Sequence, residues 1–500
     1  MKTVQLFLII PFLFAGCTNK KNELVWSKDF YQIGSTSSFR ATDLNSDGIL
    51  DLVIGAGKNE FQFAEQGILA LNGKNGELLW QEETDNQIFG SATFLDVTGD
   101  GIEDVFIGGR SNNLKALDGK TGELLWKYMY KYETHPVLKY ARFDFYNCQI
   151  LPDQNGDGIN ELLAVCGGNV LAPANSENDR YPGVLMVLDP KSGEILAADT
   201  MPDRKESYMS PIVFQQPGSP DLNIVFGSGG EKFSGHLYLI PLTALMQNNI
   251  AGAHILAEEV GHGFISPPSA ADINEDGYYD IIAISHGSTA YAIDGRNFST
   301  IWKQKIADSE SSNSFGVGQF TDDNVPDFFT FVSKGEWPDN KGSIQVMFNG
   351  KNGNIEFMDS IGCTGFSSPV VYDLNHDGYD EVIMSINEFD CSIGLNSQDK
   401  NQISNRLLAL DFKRKEYKPI DQADQFKNIF TTPWIGDLDG DGFLDIVYAQ
   451  YYSASTNIMG FLGMRTRRIS TNVKAKKPVF WGEYMGLDGK GIYPVTIKNP

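Results

Sequence analysis

From about residue 40 to residue 450 the chain sets short apolar runs, rich in Val, Ile, Leu and Phe, between polar stretches dense in Gly, Asp and Asn. The runs are too short for helices and carry β-branched and aromatic residues, so they predict strands. Two polar patterns punctuate them. One is a nine-residue acidic loop leading directly into a run, as in Asp43-Leu-Asn-Ser-Asp-Gly-Ile-Leu-Asp51 before Leu-Val-Ile-Gly. The other is a glycine turn between two runs, as in Gly67-Ile-Leu-Ala-Leu-Asn-Gly-Lys-Asn-Gly76-Glu-Leu-Leu-Trp80, repeated at Leu114 to Trp126. Looser copies of the second span 183–197, 288–302, 342–357 and 406–417. Each predicts a hairpin.

Six complete acidic loops place oxygen side chains at positions 1, 3, 5 and 9, a Gly at 6 and a backbone carbonyl at 7. This donor set suits Ca²⁺. The residues are Asp43, Asn45, Asp47, Ile49 and Asp51; Asp96, Thr98, Asp100, Ile102 and Asp104; Asp153, Asn155, Asp157, Ile159 and Glu161; Asp272, Asn274, Asp276, Tyr278 and Asp280; Asp373, Asn375, Asp377, Tyr379 and Glu381; Asp437, Asp439, Asp441, Phe443 and Asp445. An EF-hand reading fails because position 12 is apolar (Ile54, Ile107) and strands follow where that motif has a helix. The expectation is about six Ca²⁺ per chain.

Two worn copies keep the register. Residues 319–327 replace ligands by Gln319 and Thr321 and the Gly by Asn324, while 215–221 are shorter and lack the ligands. Five residues before each loop start stand Ser38, Ser91, Cys148, Ser210, Pro267, Ser314, Ser368 and Thr432, which argues for eight units. A strand pair around each loop plus a hairpin gives four strands per unit, the pattern of propeller blades. The fold expected is all-β, a single eight-bladed β-propeller of four antiparallel strands per blade, with seven blades as the alternative. Glu23-Leu-Val-Trp26 matches the end of a hairpin repeat that has no beginning, so the N-terminal strand is expected to complete the last blade.

The acidic loops resemble the FG-GAP repeats of integrin α-subunit propellers, and the hairpins resemble the tryptophan-docking repeats of quinoprotein-type propellers. Together these cover residues 22 to 465 or so. They imply a fold and leave activity open, since such scaffolds host unrelated functions.

Residues 1–16 read as a signal peptide, and Ala15-Gly16-Cys17 resembles a bacterial lipobox. Cys17 is the expected lipidated N-terminus, 17–22 a linker, 23–464 the propeller and 465–500 a basic tail. The localisation expected is the bacterial outer membrane, periplasmic or surface side left open. The formal charge is −24. Nineteen carboxylates sit at ligand positions of the six loops, so acidity is largely metal-binding and argues against a nucleic-acid partner. The cationic cluster Arg465, Arg467, Arg468, Lys474, Lys476 and Lys477 has no acidic neighbours in sequence and reads as solvated strand surface.

In an oxidising compartment the symmetric placement of Cys148 and Cys166 about the third loop, and of Cys363 and Cys391 about the seventh, favours two disulfides within blades, with free buried thiols as the alternative. No two cysteines are adjacent, as they are in many quinone-dependent propeller dehydrogenases, and HExxH, GxSxG and P-loop motifs are absent. The sequence therefore reads as a monomeric binding or assembly module for a protein or glycan rather than an enzyme. A rhamnogalacturonan-type polysaccharide lyase is the first alternative and a quinoprotein dehydrogenase the second. Topology puts the longer insertions on the face opposite the acidic loops. There Tyr128, Tyr130, Tyr132, Tyr140, Tyr181 and Trp337 are the ligand-face candidates, with wedging between blades as the other role open to them.

Overall fold

The apolar runs become strands whose order follows the turns between them. The computed structural model describes residues 22–494 apart from 112–113, 130, 174–175, 337–339, 364–365, 394–401 and 453–459. In blade 1, Arg40–Thr42, Asp51–Gly55, Ala64–Leu71 and Leu78–Thr84 pair in sequence order, each antiparallel to the last. Seven more sheets repeat that order in a ring, the sixth with an extra short strand, Ser309–Glu310. The eighth is assembled from both ends of the chain. Trp434–Gly436, Phe443–Tyr452 and Gly463–Lys474 are completed by Glu23–Tyr31, with Glu23 opposite Ser470 and Tyr31 opposite Gly463. This closure leaves no free sheet edge between first and last blades.

Burial falls from the axis outward. Asp51–Gly55 is wholly buried, whereas the fourth strand of the same blade exposes Leu78 and Leu79. Between blades, tryptophans at the fourth-strand position dock on the next hairpin. The indole N–H of Trp26, Trp80, Trp126 and Trp302 donates to the carbonyl of Gly73, Gly119, Pro190 and Gly350 at 2.6–2.9 Å. Gly122 shows why a glycine ends each docking turn. Its φ is +75°, and a Cβ there would stand 2.7 Å from the Trp80 ring.

The small residues ahead of each loop form a belt around the axis. Backbone N–H groups donate from Thr432 to Ser38, Ser38 to Ser91, Ser91 to Asn147, Asn147 to Ser210, Ser314 to Ser368 and Ser368 to Thr432, each to a side-chain oxygen of the next blade. In blade 3 the member is Asn147 rather than Cys148. The belt breaks at Pro267, which has neither a hydroxyl nor an N–H.

Three expectations need correction. The propeller does not end at residue 464, because Gly463–Lys474 is the long third strand of blade 8. The arginines of the basic cluster are not solvated surface, although Lys474 and Lys476 are exposed, since pairing across the ring supplies the carboxylates their sequence neighbourhood lacks. Arg465 meets Asp29, Arg467 meets Asp421, Arg468 meets Asp439 and Asp445, and Lys477 meets Asp380. Beyond it, residues 475–494 cross the axis. Val371 pairs with Trp481, whose indole N–H reaches the Phe315 carbonyl, Gly482 accepts from Ile435, Arg40 holds Glu483, Gln149 donates to Gly489, and Ala270 bonds to Gly491 and Tyr493. Six blades thus hold this segment against their inner strands, plugging the channel on its acidic-loop side. Third, Cys148 and Cys166 are free, buried thiols. Gln149 faces Leu163, which sets Cys148 level with Ala164, while Cys166 bridges to Phe145, so the two are out of register. Cys363 and Cys391 form a disulfide, with Cα atoms 5.1 Å apart.

Candidate functional site

The acidic loops divide their carboxylates between two tasks. At position 1 each aspartate accepts the position-6 glycine N–H, from Gly48, Gly101, Gly158, Gly277, Gly378 and Gly442 at 2.8–3.1 Å. Position 5 accepts the N–H of position 7, as Asp47 does from Ile49 and Asp441 from Phe443. These bonds curl the loop so that its oxygens converge. Oxygens of Asp153, Asp157 and Glu161, and of Asp437, Asp439 and Asp441, lie within 4.8 Å of one another. Asp437 Oδ1, Asp439 Oδ1, Asn375 Oδ1 and Asp377 Oδ2 are buried without a hydrogen-bond partner. An all-oxygen set of this kind fits a hard cation such as Ca²⁺.

Position 9 turns inward instead. Asp104 accepts from Val97, Thr98 and the hairpin Gly119 at 2.8–3.1 Å, and Asp51 and Asp280 accept likewise from Leu44 and Gly73 and from Ile273 and Gly295. Burial pushes Asp51 and Asp445 up to about 6 and Asp280 and Glu381 up to about 7, against the N–H groups, and for Asp445 the Arg468 guanidinium, that hold them down. Asp51, Asp104 and Asp280 thereby tie the loop to the hairpin, whereas Glu381 accepts within its own loop, from Leu374 and Asn375. Blade 8 has no hairpin turn, because the chain ends meet there, and Arg468 occupies the donor's place against Asp445 at 2.8 Å.

On the opposite face the channel remains open as a cavity of about 470 Å³, floored by Tyr484 of the C-terminal segment. Its wall has a repeat of its own. The residue seven before each loop register lines it in all eight blades: Thr36, Phe89, Tyr146, Tyr208, Ile265, Ser312, Phe366 and Phe430. One side is charged. Arg110 bridges Glu60 at 2.8 Å and Asp144 at 2.7 Å and lies 4.0 Å over the Phe89 ring. Arg180 bridges Glu206 at 2.6 Å, which also accepts the Tyr208 hydroxyl at 2.9 Å, and lies 4.7 Å over Phe233. Burial raises Asp144 to about 6 although Arg110 opposes it. The other side is apolar, with Phe366 and Phe430 stacked at 5.6 Å and Phe89 6.5 Å from Phe430.

The ligand-face tyrosines do not line this cavity. Tyr128 is buried edge-on to Phe145 at 5.0 Å, Tyr132 packs on the same cluster, and Tyr140 and Tyr181 pack on each other at 5.9 Å. They wedge between elements, while the open wall uses Tyr146 and Tyr208. Tyr130, Trp337 and Cys17 lie outside the described residues. The wall residues were missed because they lie in links between blades and carry no strand signal. The register that located the small residues would have found them two positions earlier.

No protein-family model matches the sequence, and no curated protein matches it. Among solved structures the chain is similar to Sqt1 of Saccharomyces cerevisiae, at 8 % identity over 90 % of this chain and 99 % of that one, with a TM-score of 0.55. It is similar also to the quinohemoprotein alcohol dehydrogenase of Comamonas testosteroni, at 11 % identity over 92 % and 78 %, TM-score 0.52. BamB from Moraxella catarrhalis aligns over 90 % and 98 % at 13 % identity and TM-score 0.48. At such identities the likeness is one of fold.

Proposed function

We propose that this chain is a Ca²⁺-stabilised β-propeller acting as a binding or assembly module at the bacterial outer membrane, lipid-anchored through Cys17, with the central cavity as its ligand site. The observation that carries this reading is the cavity itself. It is floored at one end, falls in the range of roughly 300–1,000 Å³ found for small-ligand sites, and joins an aromatic wall to a few fixed polar groups.

Glu23 opens its strand at the acidic-loop end of blade 8. An anchor at Cys17, six residues upstream and so within about 20 Å of extended chain, would turn the loops toward the membrane and the cavity mouth away from it. No helix of the described residues is long and apolar enough to cross a membrane. Six Ca²⁺ would be held by positions 1, 3 and 5 and the position-7 carbonyl of the complete loops.

Affinity capture from native membranes tests the module. Ala172→Trp, which fills the mouth, should abolish capture of a ligand that enters the cavity while leaving the melting temperature unchanged. Identical capture by that variant would reject the cavity as the site. Cys17→Ala should move the protein out of the membrane fraction, and unchanged fractionation would reject the anchor.

A further inference from the structure

The charges and the aromatic wall of the cavity restrict what it can hold. Resting on the reading of this cavity as the ligand site, we propose that its ligand is the end of an uncharged saccharide chain. Both guanidiniums are already matched, Arg110 by Glu60 and Asp144 and Arg180 by Glu206. Glu231 adds a further exposed carboxylate at the wall. With Asp144 counted behind Arg110, four carboxylates (Glu60, Asp144, Glu206 and Glu231) stand against two guanidiniums, and an anionic guest would meet a surplus of like charge. Two of the aromatic faces already carry a cation, since Arg110 covers Phe89 and Arg180 covers Phe233.

The apolar side of the cavity, Phe430 with Phe366 packed against it, stands across from fixed hydrogen-bonding groups. A pyranose ring has that division, with C–H groups on its faces and hydroxyls around its rim. The belt adds donors. Ser38 and Ser91 line the cavity, each hydroxyl oxygen accepts an N–H from the neighbouring blade, and each hydroxyl proton has no acceptor among the described residues. Tyr484 closes the floor, so a chain end enters and a continuous polymer does not thread through.

Isothermal titration of the purified full chain should use maltose, cellobiose, lactose and N,N′-diacetylchitobiose as neutral probes, with trigalacturonate and pyrroloquinoline quinone as anionic ones. At least one neutral disaccharide should bind, neither anion should, and Ala172→Trp should abolish binding. Phe430→Ala should weaken it about tenfold, the size of one lost aromatic contact. Phe430→Leu, a smaller change at the same position, serves if Phe430→Ala lowers the melting temperature. Anion binding tighter than every neutral sugar, but lost in Ala172→Trp, would overturn the ligand class and keep the cavity. Sugar binding untouched by both Ala172→Trp and the wall variants would overturn both. No binding of any neutral sugar at millimolar concentration would overturn the class.

Discussion

Blades 2 and 6 carry the same loop register with different chemistry, and their comparison separates what holds a blade from what would hold an ion. In blade 2, Asp96, Thr98, Asp100 and Asp104 are all present; in blade 6 the corresponding residues are Gln319, Thr321, Asp323 and Asp327. Asp327 nevertheless accepts from Phe320, Thr321 and the hairpin Gly350 at 2.8–3.0 Å, matching Asp104 and its three N–H partners. Burial raises Asp327 to about 6, as it does Asp51 and Asp445. Position 9 is therefore a structural tie that survives the loss of the position-1 carboxylate, and the ion proposed above would depend chiefly on positions 1, 3 and 5, with Glu161 of blade 3 also converging on its loop.

The comparison breaks first at that tie. Asp104→Ala and Asp327→Ala each leave three backbone N–H groups without their acceptor, and at about 1–3 kcal/mol per buried group lost, less relaxation, each should cost roughly 3–5 kcal/mol. Urea unfolding of both variants in chelator should show equal losses. A large loss in blade 2 with none in blade 6 would mean that position 9 acts only through metal. Next comes blade 8, where the guanidinium replaces the missing hairpin donor. Arg468→Met should cost about 3 kcal/mol by leaving Asp445 buried without its counter-charge, and a double variant with Asp445→Asn should recover part of it in the same assay.

The shortened loop of blade 4 sharpens the comparison further. There the Gln216 side chain bonds the Tyr279 N–H and carbonyl, doing by side chain what the Leu438 carbonyl does for the Leu50 N–H between blades 8 and 1. Gln216→Ala should lower stability by about 1–2 kcal/mol, readable as a shifted urea midpoint at constant slope. The smallest expected effect is Asp441→Ala in chelator, within about 0.5 kcal/mol, because without an ion that carboxylate holds only an exposed loop bond.

The fold was legible because repetition multiplies weak signals. One acidic loop is an ordinary turn, whereas eight in register with interleaved hairpins set strand number, blade number and the closing strand Glu23–Tyr31. The cavity was less legible. Its wall depends on links such as Phe89, Phe366 and Phe430, whose environment comes from curvature of the whole ring, and on Tyr484 in a tail that no repeat predicts. Arg468 failed to read as structural because its carboxylates lie 23 and 29 residues away and meet it only across the closed blade. The cysteine pairing went astray at blade 3 because the ladder begins two residues ahead of the loop, with Leu151 facing Glu161, so counting from the loop ends sets Cys148 two residues away from Cys166.

Calcium stoichiometry tests the division of labour most directly. Elemental analysis of the purified chain, equilibrated with micromolar free Ca²⁺ and desalted, should find about six ions, one fewer in Asp441→Ala, and an unchanged number in Asp327→Ala. Chelation should lower the melting temperature, with the blade 8 ion leaving first because Arg468 already lies against Asp439. A calcium-free protein that melts identically with and without chelator would show these loops to be acidic turns alone and would contradict the account.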